Sequence, residues 1–122
     1  MKILLVEPGR RPVLKEIDGS LKSMQQAVGG TIQAIYPFDE PVALICNDEG
    51  KLLGLPLNRA LRDKEGRIYD VVAGTFFLCG VPSDSDRLES MPEGLVERYQ
   101  KMFLTPEVFI RVNGRMNCIP VC

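Results

Sequence analysis

The chain has 122 residues, 45% of them hydrophobic, so its length and composition predict one globular domain over residues 1–122 with a core of ordinary size. Fifteen basic residues face sixteen acidic ones, a formal net charge of −1, which excludes a strong general attraction to nucleic acid or to an anionic membrane. The sequence contains no histidine, which excludes catalytic dyads and triads that depend on an imidazole base and removes the commonest zinc ligand.

The apolar runs and the cysteines are typical of a cytoplasmic protein. No apolar run approaches the ~20 residues that span a membrane. The first run is followed at once by Glu7 and Pro8, unlike the core of a signal peptide. Cys46 and Cys79 lie inside apolar stretches, and no CxxC pair is present. This pattern predicts buried, reduced thiols and no metal site.

The first elements in chain order are two strands and a helix. Residues 2–8 (KILLVEP) form a compact apolar run, which is typical of a strand buried on both faces. Residues 12–18 (PVLKEID) alternate weakly and predict an edge strand. Ser20 is a suitable N-cap for a helix, which Gly29 and Gly30 end because glycine adopts the left-handed conformation at low cost.

The middle of the chain predicts two more strands, a hairpin and a short helix. Residues 31–38 (TIQAIYPF) alternate as a strand. Residues 41–46 (PVALIC) predict the next strand, with residues 51–55 (KLLGL) as its hairpin partner and Gly50 supplying a positive φ in the turn between them. Asn58, which follows a proline turn, is expected to cap a short helix that starts at the next residue.

The second half of the chain predicts a central strand, a helix and a terminal hairpin. Residues 68–82 are the most apolar stretch, and residues 75–81 within it predict a central strand. Residues 92–103 carry apolar side chains at spacings of three and four, which predicts an amphipathic helix. Asn113 and Gly114 lie between two alternating arms and are the strongest two-residue signal for a β-hairpin.

These elements predict an α+β fold. We expect a single mixed or antiparallel sheet of about six to eight strands, two or three helices and a C-terminal hairpin over residues 105–122. The arms of this hairpin carry much apolar surface, and an isolated two-stranded ribbon is marginally stable. We therefore expect the hairpin either to dock on the parent sheet or to pair across a two-fold homodimer.

Two pairs of polar residues are candidates for binding a ligand. Arg10 and Arg11 lie in a loop between prolines, and Asn58 and Arg59 follow a proline turn. A guanidinium group can hold a phosphate or carboxylate through two hydrogen bonds. For the second pair, the alternative is that Asn58 caps a helix and Arg59 is solvated.

Acidic residues offer a further alternative. Asp84, Asp86 and Glu89 precede the last predicted helix, and they predict either a solvated loop or the carboxylates of a hydrolase. Asp48 and Glu49 lack the regular spacing of a calcium loop, and the sequence contains no dinucleotide or phosphate-loop fingerprint. We therefore predict no cofactor and no bound metal.

Four segments in order resemble a known family: KILLVEPG, LKSMQQAVGGTIQAI, NDEGKLLGLPLNRAL and VVAGTFFLCG. Over about residues 1–104 the chain is similar to the domain of unknown function family 3846. The resemblance implies a small cytosolic α+β domain found in gut Firmicutes, in phage and in other mobile elements, and it implies no activity. The positions that carry it are Gly29, Gly30, Asp48, Gly50, Asn58 and Gly74, and we interpret the four glycines as structural.

Three functions follow as hypotheses. The first is a non-enzymatic accessory protein of phage or mobile-element type, which binds a protein or a small ligand and possesses no strong general affinity for nucleic acid or membranes. The second is a pocket protein that sequesters an anionic, nucleotide-like ligand through Arg10, Arg11, Asn58 and Arg59. The third is a carboxylate-dependent hydrolase that uses carboxylates such as Asp84 and Asp86.

Overall fold

The computed structural model describes residues 1–84 and 87–121, which form nine strands and two helices. The strands are β1 (Lys2–Val6), β2 (Val13–Glu16), β3 (Ile32–Ile35), β4 (Val42–Asn47), β5 (Leu57–Arg62), β6 (Ile68–Ala73), β7 (Phe76–Gly80), β8 (Glu107–Val112) and β9 (Arg115–Pro120). The helices are α1 (Leu21–Val28) and α2 (Glu93–Met102). Within the described ranges, neither helix is long and apolar enough to cross a membrane.

Five strands form the main sheet in the order β2-β1-β7-β4-β3, and each neighbouring pair is antiparallel. The predicted central strand is confirmed as β7, whose five residues are all buried. Successive side chains of a strand point to opposite faces. Phe76 and Phe77 are both fully buried, in different hydrophobic clusters, so the sheet is covered on both faces.

Helix α1 covers one face of the main sheet. Its Met24 and Val28 side chains pack in a cluster with Ile3, Ile45 and Phe77. The predicted ends of this helix are confirmed. The Ser20 hydroxyl oxygen accepts a hydrogen bond from the backbone N–H of Ser23 at 3.1 Å. Gly29 ends the helix with a φ of 76°.

Helix α2 and a two-stranded sheet of β5 and β6 cover the other face. Tyr99 and Phe103 from the α2 region, with Leu61 and Val72 from the small sheet, pack in one cluster with Phe76. The rings of Phe76 and Phe103 meet edge to face, with centroids 5.4 Å apart. The molecule therefore has three layers, with the main sheet in the middle.

The expected single sheet is wrong, because β5 and β6 pair with each other outside the main sheet. The expected hairpin partner of β4 is also wrong, since residues 51–55 contain a turn and no strand. The physical reason is that β3 and β7 already occupy the two edges of β4. The short helix expected after Asn58 is wrong as well, since that segment is β5.

Strands β8 and β9 form the predicted C-terminal hairpin. It turns at Asn113 and Gly114, whose φ angles of 51° and 78° fit a two-residue turn. The hairpin does not join the main sheet. It lies against β5, where a Glu107 carboxylate oxygen accepts a hydrogen bond from the Ala60 N–H at 3.3 Å and the same carboxylate pairs with Arg62 at 3.0 Å.

The electrostatics of this contact favour an ionised Glu107. Burial raises the pKa of Glu107, but hydrogen bonds from Arg62 and from the Cys118 thiol, together with the charge of Arg62, outweigh burial and hold the pKa below its usual range. The hairpin is therefore attached to β5 by a charged group as well as by packing.

Replacing Phe77 by Ala tests the packing between the main sheet and α1. We expect a loss of about 3–5 kcal/mol in the free energy of unfolding, because the ring is fully buried and its removal leaves a cavity. Denaturant unfolding measures this loss. Tyr36→Ala is the control, since Tyr36 is 62% exposed and should change stability little. Equal stability of the two variants would contradict the burial of Phe77 beneath α1.

Candidate functional site

Asn58 and Arg59 lie side by side in β5, and both side chains are fully buried. Two consecutive side chains of a regular strand point to opposite faces. Here the pairing with β6 shifts between Leu57 and Arg59, so Asn58 is the extra residue of a β-bulge. The bulge allows the two polar side chains to be buried together, and we call them the Asn58–Arg59 cluster.

The amide group of Asn58 connects two distant backbone segments. Its Nδ2 donates to the carbonyl oxygen of Val6 at 2.8 Å and to that of Gly74 at 2.9 Å. Its Oδ1 accepts a hydrogen bond from Nη1 of Arg59 at 2.8 Å. Asn58 therefore links the end of β1 to the turn between β6 and β7.

The guanidinium group of Arg59 uses all three nitrogens. Nε and Nη2 donate to the carbonyl oxygen of Phe103 at 3.1 and 3.0 Å, and Nη2 also donates to the carbonyl of Arg10 at 2.5 Å. Phe103 is the C-cap of α2, where the helix dipole favours a cation. Burial lowers the pKa of Arg59, and the charge of Glu107 opposes this effect. An arginine stays protonated at neutral pH despite such a shift.

The four candidate binding residues divide into two pairs. Asn58 and Arg59 hydrogen-bond to backbone carbonyls of this chain and to each other, and they have no exposed surface. The interpretation of Asn58 as a helix cap with a solvated Arg59 is wrong, because both residues lie in a strand and Arg59 is fully buried. Arg10 and Arg11 are exposed in the loop after β1, so their contact with an anion stays a prediction.

Two glycines near this cluster allow neighbouring segments of the chain to pack closely against them. A Cβ atom on Gly74, whose φ is 82°, would lie 2.8 Å from Cδ1 of Leu55. A Cβ atom on Gly50 would lie 2.7 Å from the carbonyl oxygen of Ala73. Gly50 is therefore needed for space rather than for the positive φ that the sequence predicts, which is found at Gly54 instead.

Residues 48–54 form a closed turn after β4, which we call the leucine turn. The N–H groups of Leu53, Gly54 and Leu55 donate to the carbonyls of Glu49, Lys51 and Gly50 at 2.8–3.1 Å, and the last two bonds have the pattern of a Schellman motif. Yet Leu52 and Leu53 are 83% and 59% exposed. The backbone thus holds two apolar side chains in solvent.

Two adjoining cavities of about 290 and 380 Å³ lie between the segment before β4, the β5–β6 sheet and α2. We call them the aromatic cleft, and the residues that line both are Pro37, Phe38, Arg62, Asp63, Tyr69 and Met102. The Phe38 ring packs edge to face on Tyr99, with centroids 4.8 Å apart. Tyr69 and Met102 are 56% and 52% exposed. No local sequence pattern indicates this cleft, because its residues are far apart in the chain.

A family model for a domain of unknown function, number 3846, matches residues 1–104 of the chain. The chain belongs to this family. No curated protein and no solved structure matches the chain. The part of the chain that matches family 3846 includes the Asn58–Arg59 cluster, the leucine turn and the residues of the aromatic cleft. Strands β8 and β9 lie beyond the matched part.

Burial raises the pKa of three groups in this family 3846 chain. Tyr99 donates from its hydroxyl to a Glu40 carboxylate oxygen at 2.7 Å, and burial, then this carboxylate, raise its pKa. Burial raises the pKa of the Cys79 thiol to about 12, and burial also raises that of Cys46. Both thiols are buried, as the sequence predicts. They are therefore protonated and shielded at neutral pH.

Two other predictions concern carboxylates and metals. Asp84 is exposed, and Asp86 lies outside the described residues, so the hydrolase alternative stays a prediction. Within residues 1–84 and 87–121, no group of three or more cysteine, aspartate or glutamate side chains is placed to hold a metal ion.

Replacing Arg59 by Lys tests the structural role of the cluster. We expect a loss of about 2–4 kcal/mol in the free energy of unfolding, because a lysine cannot donate to all the carbonyls that the guanidinium group reaches. Arg62→Lys is the matched control, since its side chain is 41% exposed and its ion pair should contribute no more than about 1 kcal/mol. Equal losses in the two variants would contradict the role assigned to Arg59.

Proposed function

We propose that the protein is a non-enzymatic binding protein, which takes an uncharged aromatic or apolar side chain of a partner protein into the aromatic cleft. The single observation that carries this proposal is the position of Tyr69 and Met102, both more than half exposed, above a cavity with an aromatic floor. Apolar side chains that are exposed next to one another at the edge of a cavity mark interaction sites, whereas singly scattered ones do not.

The residue types of the cleft support protein recognition. Tyrosine, phenylalanine, methionine and arginine are enriched at protein interfaces, and aromatic groups dominate their binding energy. The thioether of Met102 can adapt to differently shaped groups. Each of the two cavities is large enough to admit one large side chain.

The charges at the rim favour an uncharged occupant. Arg98 pairs with Glu40 at 3.1 Å, and Lys64 pairs with Asp39 at 3.6 Å. Arg62 is engaged by Glu107 of the hairpin. Each of these cations already has a carboxylate partner, so an anionic ligand would have to break an existing ion pair. A cationic ligand would find the rim carboxylates already engaged, since Asp63 accepts hydrogen bonds from two backbone N–H groups at 3.0 and 2.9 Å.

The resemblance to sequences of phage and mobile elements supports an accessory role in such an element, and this context is part of the proposal. The chemistry of the described groups supports binding over catalysis. The buried thiols are protonated, and the hydroxyl of Tyr99 is held by Glu40.

Indole serves as a probe for the cleft, because it represents an uncharged aromatic side chain. We expect it to bind in the millimolar range, as a ligand of few atoms should, and to shift the amide NMR signals around Tyr69 and Met102. Tyr69→Ala should weaken binding at least several-fold. Tyr36→Ala is the matched control, since Tyr36 is a similarly exposed tyrosine that does not line the cleft.

Three results would contradict the proposal. The first is the absence of any shift at the highest soluble concentration of indole. The second is a set of shifts spread over the surface without a cluster at the cleft. The third is equal weakening by the two tyrosine substitutions, which would place the binding elsewhere.

A further inference from the structure

A concave surface, separate from the aromatic cleft, lies beside the C-terminal hairpin. It consists of two hollows of about 450 and 300 Å³, which share Arg11 and Leu104 as lining residues. Pro106, Val108 and Val121 also line the larger hollow. We call these two hollows the hairpin groove. Most of its exposed wall is apolar, and the polar side chains of Glu97, Gln100 and Lys101 border the smaller hollow.

One face of the hairpin extends this groove. Residues paired across an antiparallel ribbon lie on the same face, so Val108 shares a face with Ile119, and Val112 shares it with Arg115. The apolar residues of this face are 41–48% exposed, and they are Val108, Ile110, Val112 and Ile119. The opposite face carries the Glu107 side chain that contacts β5.

Positive charge accompanies this apolar surface. Arg11 lines both hollows, and Arg115 lies on the apolar face near the hairpin turn. Among the described residues, neither arginine has an ion-pair partner. The two carboxylates that line the groove already have partners, since Glu107 pairs with Arg62 and Glu97 pairs with Lys101. The groove therefore suits a partner that is apolar and acidic.

The leucine turn has the complementary properties. It presents Leu52 and Leu53 to solvent, and Asp48 and Glu49 precede them on the same turn. In the described part of the chain, neither carboxylate takes part in an ion pair. Lys51 does not neutralise them, since it pairs with a carboxylate of β6 at 2.5 Å.

The topology brings the two surfaces to one end of the main sheet. Strands β1 and β4 are both antiparallel to β7, so they run in the same direction. The loop after β1, which carries Arg11, and the leucine turn after β4 therefore leave the sheet at the same end. The two strands are separated by one strand, which places their ends about 10 Å apart.

From this arrangement we propose that the protein forms a two-fold homodimer, in which the leucine turn of each copy docks in the hairpin groove of the other. In a two-fold dimer each contact occurs twice. The leucine turn and the hairpin groove lie at the same end of the molecule, so the turn of each copy can occupy the groove of the other. Doubling the contact also brings the buried surface closer to the ~800 Å² per partner that a stable interface needs. The opposite charges of the two surfaces favour this pairing over a face-to-face contact of two hairpins.

Analytical ultracentrifugation of the complete chain tests the proposal. We expect the wild-type protein to sediment with twice the mass of one chain and to dissociate more readily at high salt, because part of the attraction is electrostatic. A turn variant, Leu52→Ser with Leu53→Ser, and a groove variant, Leu104→Ser with Val108→Ser, should each be monomeric.

Mixing the two variants gives the decisive result. The turn variant retains an intact groove, and the groove variant retains an intact turn, so an equimolar mixture should form a heterodimer with one of the two contacts restored. This heterodimer should be weaker than the wild-type dimer and tighter than any self-association of either variant. Leu21→Ser is the matched control, since Leu21 is 58% exposed on α1 and should leave the dimer unchanged. Melting temperatures close to that of the wild type confirm that the variants are folded.

Each other outcome overturns the proposal. A wild-type protein that is monomeric at every concentration shows that the two surfaces take other partners. Single-surface variants that remain dimeric place the interface elsewhere. A mixture that associates no more strongly than either variant alone, with a dimeric wild type, shows that the turn and the groove do not contact each other.

Discussion

The fold depends on a buried guanidinium group that is held by backbone carbonyls. Arg59 donates to the carbonyl of Phe103 at the end of α2 and to the carbonyl of Arg10 in the loop after β1. Asn58 beside it donates to carbonyls at the end of β1 and before β7. Burying a charge is costly unless hydrogen bonds replace its hydration. Here the hydrogen bonds and the negative end of the α2 dipole supply that replacement.

This cluster positions the surfaces to which we assign functions. It fixes the end of α2, which contributes Met102 to the aromatic cleft and Leu104 to the hairpin groove. It fixes the loop after β1, which brings Arg11 to the same groove. The cluster also holds Gly74, because Asn58 donates a hydrogen bond to the Gly74 carbonyl oxygen. Leu55, at the end of the leucine turn, packs against Gly74. A residue pair without solvent contact thus determines the geometry of the exposed surfaces.

The sequence predicted the elements whose signals are local. Ser20 and Gly29 bound α1, and Asn113 with Gly114 forms the hairpin turn, because caps and tight turns depend on adjacent residues. The hairpin partner expected for β4 was wrong, since its edges are occupied by strands distant in the chain. Local alternation carries no information about which edges remain available.

The candidate site shows the same limit. The position of Asn58 and Arg59 after a proline turn makes them candidates for binding an anion, but the sequence does not reveal whether the partner of such a pair is a ligand or a carbonyl 44 residues away. The aromatic cleft was missed because Phe38, Tyr69 and Met102 come from three separate segments. Each of them alone has the pattern of an ordinary core or surface residue.

Hydrogen exchange of the Arg59 side chain tests the central claim most directly. In protein labelled with ¹⁵N, each arginine Nε–H can be observed by NMR, and the exposed Arg10 and Arg11 provide internal references. The account predicts that the Nε–H of Arg59 exchanges far more slowly than those of the two references, because it is buried and donates to the carbonyl of Phe103 at 3.1 Å. Exchange of all three groups at the same rate would show that Arg59 is open to solvent, and would contradict the structural role from which the rest of the account follows.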